Sequence, residues 1–480
     1  MARTVRSGRL FSGAAAVVAL LAVLTSAGPR GAAEAAARQD GQEGSGGTAV
    51  AHYAGGKVVR VSNAPDARIY RVGARAIEPT LGINEKGDIF YTAADWITNV
   101  DVFRSTDGGR TWENTSPRLP TGQKSHVLSL DPYLYVSEPT GRIFDVDLTA
   151  ACSLLSYSDD NGESWVTNPL ACGRPVNDHQ TLFSGPPSLS PTTLYPDVVY
   201  YCWNDFGAGS SCSKSLDGGT SWTATGSPAF TGYDPNGEEH GPGNFCGGVH
   251  GHGVVGPDGT VYLPKEYCGQ PWLGISRDEG ATWARVQVAT NTSERQGSDT
   301  SVAVDAKGNL YYAYESEEQQ LFLVVSRDGG EHWSRPMMIS APGVNEVTHP
   351  TLDVGDPGKV AVAYIGSENA PTRCRPGCDD SHFAQTTWNG YITMTVNALS
   401  KKPLFFSGAI NAQSDPLYRG RCDFSNRCTP ILDFIDIEIA PDGTPYGAFV
   451  DTCTLACIER AHNDDSAAVV GSLVGGPRLR

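Results

Sequence analysis

Short runs of alternating apolar and polar residues, each divided by a glycine-bearing turn, recur along most of the chain. Alternation around Asp-Gly, Lys-Gly or Thr-Gly turns is typical of β-hairpins. Helical periodicity is almost absent, so the pattern predicts an all-β protein. The sequence contains seven such hairpins, at residues 78–93, 130–148, 178–203, 252–267, 300–315, 349–366 and 434–451.

A third strand follows each hairpin, so the repeating unit is predicted to be a small antiparallel sheet. These strands are expected within DVFRS, SLLSYS, SSCSKS, LGISR, LFLVVSR, YITMTV and AAVVGSLV. The chain ends after the last of them, and KVVRVSN at 57–63 is expected to supply the missing fourth strand. A ring closed in this way leaves no open sheet edge.

A turn motif, Ser-x-Asp-x-Gly-x-x-Trp, follows the third strand of the first five units. Its aspartate can accept backbone N–H groups across the turn, and its glycine allows a positive φ. Its tryptophan can pack against the next unit. Copies spaced 50 to 61 residues apart predict a repeat architecture in which this motif is structural. The copies begin at Ser105, Ser158, Ser215, Ser276 and Ser326.

The motif resembles the Asp-box, or bacterial neuraminidase repeat, of sialidases and related β-propellers. The resemblance in repeat architecture covers roughly residues 57–480, and it implies Asp-box turns on the face opposite the active site. We therefore expect a seven-bladed β-propeller, with a six-bladed sialidase-like propeller as the alternative.

Sialidases also carry an Arg-Ile-Pro motif, whose arginine begins a three-arginine clamp on the substrate carboxylate. Here Ile77 stands in the place of that arginine, followed by Glu78 and Pro79. Because this arginine is missing, the resemblance does not imply that the chain cleaves sialic acid. Other arginines precede inner strands and could replace the clamp: Arg75, Arg174, Arg295, Arg419 and Arg421.

The N-terminus has the features of a secretion signal: three arginines, a short apolar run and a small-x-small cleavage site. We predict a signal peptide over 1–27, a disordered leader over 28–52 and a single propeller domain over 53–480. No later segment approaches the ~20 apolar residues of a membrane span. A secreted protein without membrane insertion is expected, and we expect it to be a monomer.

Twelve cysteines in an exported chain predict disulfides, because export leads to an oxidising compartment. The net charge of −17 argues against nucleic acid and anionic membranes as partners. The close cysteine pairs are Cys152/Cys172, Cys202/Cys212, Cys246/Cys268, Cys374/Cys378, Cys422/Cys428 and Cys453/Cys457.

Candidate chemistry collects where the inner strands begin and the second strands end, on the face opposite the Asp-box turns. A central pocket would open there, rimmed by carboxylates and imidazoles. The candidate catalytic residues are Asp131, Asp178, Glu266 and Glu315. The candidate substrate-binding residues are Glu78, His179, His250, His252, Arg295, His349 and Arg419. For each carboxylate, a loop cap or solvated charge is the structural alternative.

His250 and His252 are alternate residues of a predicted strand, so both imidazoles should point to one side. With Glu266 or His240 they could bind a divalent metal, which is the one cofactor considered. Hydrogen-bonded structural histidines are the alternative.

Two functions follow from these patterns. The first is a glycan-processing exo-glycosidase, in which two of the carboxylates act as acid and as base or nucleophile. The second is a non-catalytic propeller that binds glycans or proteins through the same face.

Overall fold

Seven antiparallel sheets follow one another along the chain, and each sheet is called a blade below. A computed structural model describes them, within a unit that spans residues 40–480. The described residues are 43–94, 100–118, 121–123, 129, 131–148, 153–169, 177–189, 194–205, 209–232, 246, 248–290, 300–371, 380–422, 428, 431–453, 457 and 466–480.

Four strands precede the first blade: β1 (Gly44–Thr48), β2 (Val50–Tyr53), β3 (Lys57–Val58) and β4 (Asp66–Arg75). Blade 1 consists of β5 (Leu81–Ile83), β6 (Ile89–Ala94), β7 (Val100–Ser105) and β8 (Glu113–Asn114). Blade 2 consists of β9 (Pro132–Val136), β10 (Ile143–Leu148), β11 (Ser153–Ser158) and β12 (Val166–Pro169). Blade 3 consists of β13 (Asp178–Gly185), β14 (Val198–Asn204), β15 (Ser210–Ser215) and β16 (Thr223–Ala224).

Blade 4 consists of β17 (Val254–Val255), β18 (Val261–Tyr267), β19 (Gln270–Ser276) and β20 (Ala284–Gln287). Blade 5 consists of β21 (Ser301–Val304), β22 (Leu310–Glu315), β23 (Leu321–Ser326) and β24 (Met337–Met338). Blade 6 contains β25 (Glu346–Val354), β26 (Val360–Ser367), the helix α1 (Asp380–Phe383), β27 (Thr387–Thr395), β28 (Leu404–Ala409) and β29 (Tyr418–Arg419). Blade 7 contains β30 (Asp436–Ile439), β31 (Pro445–Asp451) and β32 (Ala467–Val474).

The first strand of each blade contacts the first strands of both neighbouring blades. The ring closes where β30 of blade 7 meets β5 of blade 1. This arrangement confirms the predicted all-β propeller with Asp-box turns. The described part contains no helix long and apolar enough to cross a membrane.

The N-terminal segment closes the ring differently from the prediction. The strand that pairs with β32 is β4, not residues 57–63, and β1 then pairs with β4. Lys57–Val58 instead pairs with β2, which lies beside β28 in blade 6. Since Gly44–Thr48 and Val50–Tyr53 are strands, the part of the predicted leader from residue 44 onward belongs to the propeller. The predicted signal peptide lies outside the described residues.

Each Asp-box is a hydrogen-bonded turn built as the motif predicts. In the third box, Asp217 Oδ1 accepts the backbone N–H of Thr220 (3.1 Å) and of Ser221 (2.8 Å). The hydroxyl of Ser215 accepts the N–H of Gly219 at 2.8 Å, where φ is +92°. The Trp222 indole N–H donates to the Gly219 carbonyl, which completes a turn in which the aspartate has no role beyond structure.

The Asp-box turns and the turns between first and second strands share one face, called the Asp-box face. Asn84, in the first such turn of blade 1, donates to Asn161 in the Asp-box of blade 2 at 2.7 Å. The N–H of Leu189, in the corresponding loop of blade 3, donates to Glu279 in the box of blade 4 at 2.8 Å. The starts of the inner strands therefore lie on the opposite face, as predicted.

Disulfides are present, as expected, and four of the six close cysteine pairs are bonded among the described residues. Cys202 and Cys212 are register partners on β14 and β15, so this bond staples two neighbouring strands. The remaining pairs formed are Cys246–Cys268, Cys422–Cys428 and Cys453–Cys457. Cys152, Cys172, Cys374 and Cys378 lie outside the described residues.

Replacing Asp217 with alanine should lower the free energy of unfolding by about 1–3 kcal/mol, because two backbone N–H groups lose their acceptor. Chemical denaturation of the variant measures this loss. Glu85→Ala, in an exposed turn on the same face, is the control and should change stability little. Equal stability of the two variants would contradict the structural role of the Asp-box.

Candidate functional site

Three inner strands begin with closely similar tetrapeptides: EPTL at 78–81, HQTL at 179–182 and HPTL at 349–352. The first residue of each has a left-handed backbone, with φ of +43° at Glu78, +49° at His179 and +55° at His349. Non-glycine residues rarely adopt this region, and it tends to persist at functional sites. The same unusual backbone thus turns a titratable side chain towards the mouth of the ring in blades 1, 3 and 6.

The inner strands are bound to one another by side chains. Each inner strand is the edge of its sheet, so its axis-facing N–H groups need acceptors from outside the sheet. Polar side chains of the preceding blade supply several of them. The bonds run from Leu134 N to Thr80 Oγ1 (2.7 Å), Gly253 N to Thr181 Oγ1 (3.3 Å), Leu352 N to Ser301 Oγ (3.0 Å) and Leu81 N to Asp436 Oδ2 (3.1 Å).

Glu78 and Asp131 form a buried carboxyl pair at the mouth. Asp131 Oδ2 accepts the His179 N–H at 2.8 Å, and Glu78 Oε1 accepts the Asp433 N–H at 3.0 Å. Desolvation raises the pKa of Glu78 well above its usual range, and the nearby Asp131 and Asp433 raise it further. Desolvation, followed by the charge of Asp178, also raises the pKa of Asp131. Because the two carboxyls are buried and lie close enough for Asp131 to raise the pKa of Glu78, the pair retains a proton above the ordinary carboxyl range.

Three predicted histidines gather around Phe434. His179 lies edge-on to His250 with ring centroids 5.8 Å apart, and edge-on to Phe434 at 5.1 Å. His252 lies 5.8 Å from Phe434, and its Nδ1 is 3.4 Å from Asp436. Burial, followed by the charges of His179 and Lys265, lowers the pKa of His250 well below its usual value. His250 is therefore neutral at physiological pH.

Asp178 and Glu266 interact electrostatically with a buried lysine, Lys265, that was not among the candidates from the sequence. Lys265 is fully buried, and its Nζ donates to Asn204 Oδ1 and Ser210 Oγ at 3.1 Å each. Desolvation lowers the pKa of Lys265 to about 7, while Asp205, Asp178 and Glu266 counteract it. Asp178 is exposed, so it is the carboxylate of this group that solvent can reach.

The other candidates have separate positions. Glu315 is buried at the end of β22 in blade 5, opposite Leu321. His349 Nε2 is 2.7 Å from the Leu432 carbonyl. Arg419 lies beside the third strand of blade 6, where its guanidinium donates to the Ala384 carbonyl (3.1 Å) and to Gln385 Oε1 (2.8 Å). Arg295 and His240 lie outside the described residues.

The predicted metal pair does not form a ligand cluster within the described part of the chain. The imidazole of His250 bonds its Nδ1 to the Gly251 carbonyl at 3.0 Å, whereas His252 pairs with Asp436. The groups of three ligand atoms found in the described ranges involve neither histidine. Metal binding at this pair stays a prediction.

Among the described residues, a cavity of ≈ 10 Å³ lies near the axis below the mouth, lined by His252, Ser301, Thr351 and Phe434 among others. It has room for about one water. A sugar ring is larger than this cavity.

Two features of the site could have been found from sequence. The repeated tetrapeptides EPTL, HQTL and HPTL identify the threonines of the inner strands. Lys265 is a charged residue that follows four apolar residues in the strand VYLPKEY. Phe434 carried no such signal, because its place at the axis depends on how seven blades converge.

Comparison with known proteins is consistent with this architecture. A family model described as "BNR repeat-like domain" matches residues 198–364. A xyloglucanase of Paenibacillus sp is 26% identical over 273 residues, which are 51% of this chain and 24% of the relative. The chain thus spans about a quarter of the curated relative it matches.

Two solved structures were also found to be similar to this chain. The BP39L lectin of Burkholderia pseudomallei has a TM-score of 0.53 at 8% identity, covering 85% of this chain and 98% of the lectin. A Hadza microbial sialidase, Hz136, has a TM-score of 0.40 at 18% identity, covering 71% of this chain and 66% of the sialidase. At these identities the likeness concerns the fold.

Lys265→Met should remove a pH dependence of stability. The folded pKa of about 7 is below that of an unfolded lysine, so the unfolded chain binds more protons between pH 7 and 10.5. The wild-type free energy of unfolding should therefore gain roughly 5 kcal/mol over this window from Lys265. Denaturation at several values from pH 7 to 9.5 measures how the free energy of unfolding changes with pH. This increase should disappear in Lys265→Met and remain in the exposed control Lys307→Met. An unchanged slope in Lys265→Met would contradict the buried, neutralised lysine.

Proposed function

We propose that this chain, which is a sialidase-like Asp-box β-propeller, is a secreted glycoside hydrolase that cleaves glycosidic bonds at the axial mouth. The observation that carries the proposal is the unequal environment of neighbouring carboxyls. Glu78 and Asp131 are buried and interact electrostatically, while Asp178, whose charge acts on Asp131, is exposed. Glycosidases need one protonated and one ionised carboxyl side by side, and burial against exposure is the physical means of obtaining both.

The roles follow from these environments. The Glu78–Asp131 pair holds a proton and donates it through Asp131 to the glycosidic oxygen as the bond to the anomeric carbon breaks. Asp178 takes a proton from the water that attacks that carbon, or attacks the carbon itself. Lys265 lies close enough to Asp178 for the two groups to interact electrostatically. Glu266, also beside Lys265, is the second candidate for this carboxylate role.

The substrate is expected to be a glycan held by its terminal residues. Because the axial cavity is smaller than a sugar, a substrate is expected to enter the mouth with one end, which suits exo-cleavage. No three-arginine clamp is assembled at the axis among the described residues, since Arg71 pairs with Asp451 and Arg419 with Gln385. Neutral sugars therefore fit the described mouth better than sialic acid.

The four described disulfides support secretion, because such bonds persist in oxidising compartments. The alternative function, a non-catalytic glycan-binding propeller, would favour exposed aromatic rings at the mouth. In the described ranges the exposed large apolar side chains are valines and leucines.

Asp178→Asn and Asp131→Asn should each lower kcat by about 100-fold or more on whichever glycoside is cleaved, since an acid–base group contributes 10²–10⁴-fold. Purified protein is first screened against sialosides, xyloglucan oligosaccharides and other glycosides, with and without chelator. Thermal unfolding of each variant confirms that the fold is retained.

Asp258→Asn is the matched control, because Asp258 lies in the β17–β18 turn on the Asp-box face and the amide can still accept the Thr260 N–H. Its kcat should equal that of the wild type. Glycan binding without turnover by the wild type would establish the non-catalytic alternative. Turnover that survives both carboxyl substitutions would reject the assigned roles.

A further inference from the structure

A groove of about 470 Å³ opens on the Asp-box face between blades 5 and 6, far from the axial mouth along the strands. We call it the blade 5–6 groove. Its walls are the Asp-box turn and following residues of blade 5 and the turn at 398–401 of blade 6. Its volume falls within the range of small-ligand sites. The residues used below are Arg327, Trp333, Arg335, Met337, Leu399 and Lys401.

The groove exists because blade 6 has no Asp-box. In its place, the 397–402 turn is held by Asn397, which accepts the Leu404 N–H at 3.0 Å. Arg327 joins the two walls by donating to the Leu399 carbonyl. The floor contains the half-buried Trp333, fixed edge-on against Tyr312 at 6.0 Å.

The charges around the groove are mainly positive, in contrast to the net charge of −17 of the chain. Arg335 and Lys401 are exposed at the rim, and Arg327 lies between the walls. Asp328 also lines the groove, and its carboxylate accepts the Ser326 hydroxyl at 2.8 Å and the His332 N–H at 2.9 Å within its own turn. The lining thus carries three cationic side chains, Arg327, Arg335 and Lys401, against one carboxylate.

We propose that the blade 5–6 groove binds an acidic oligosaccharide, whose sugar ring packs on Trp333 and Met337 while its carboxylates or sulfates meet Arg335, Arg327 and Lys401. Guanidinium and ammonium groups bind both kinds of anion, and a rigid aromatic floor suits the apolar face of a sugar ring. On a strongly acidic protein, a local cationic groove raises the concentration of anionic glycans near it. Such a site would tether the protein to a glycan surface independently of hydrolysis.

The test is isothermal titration of the full chain carrying Asp178→Asn, so that hydrolysis neither consumes the probe nor decides the outcome. The probes are an oligogalacturonate, a sulfated oligosaccharide, a neutral cello-oligosaccharide and a poly-glutamate peptide. We expect an acidic oligosaccharide to bind, with affinity that falls as salt rises. The double variant Arg335→Gln/Lys401→Gln should weaken binding tenfold or more.

The matched control is Lys86→Gln/Lys307→Gln, which removes two exposed lysines from turns on the same face and changes the net charge equally. It should leave the affinity within twofold. Binding of only the uronate or only the sulfated probe identifies the anionic group and supports the proposal. Equal weakening by both double variants, tighter binding of poly-glutamate, or equal binding of the neutral sugar would overturn it.

Discussion

The structure depends on one constraint: every inner strand of the ring is a sheet edge whose N–H groups face the axis. Buried N–H groups must find acceptors, and the sheet itself offers none on that side. Side chains of the neighbouring blade supply them, as Thr80 does for Leu134 and Asp436 does for Leu81. Polar residues therefore converge on the axis for structural reasons before any functional reason is considered.

The same constraint divides the carboxylates of the mouth into two kinds. Asp131 accepts the His179 N–H and is buried, and desolvation raises its pKa although that hydrogen bond acts in the opposite direction. Asp178, one residue before His179, lies outside that hydrogen-bonded layer and is exposed. The hydrogen bonds that hold the inner strands together therefore leave Asp131 buried and Asp178 exposed. The proposed chemistry depends on this difference.

Carboxylates have different roles on the two faces of the ring. On the Asp-box face, the aspartates accept hydrogen bonds within their own turns. The hydroxyl of Ser164 and, to a lesser extent, its backbone N–H lower the pKa of Asp160 in this way. Where the box is missing, in blade 6, the regular packing between neighbouring turns is interrupted and the blade 5–6 groove opens. Loss of a repeat element therefore creates a surface that the repeat itself does not provide.

The strand class, the hairpins and the Asp-box turns could be predicted from the sequence, because each depends on neighbours close in the chain. The close cysteine pairs indicated disulfides but left their pairing open. The sequence also placed Glu78, Asp131, Asp178, His179 and His250 on one face, since alternation and turn positions define that face. Only the tertiary structure decided which strand closes the ring, because β4 and residues 57–63 are both apolar enough to pair. It likewise decided that Lys265 is buried between carboxylates and that Phe434 fills the axis, because both result from contacts between blades distant in sequence.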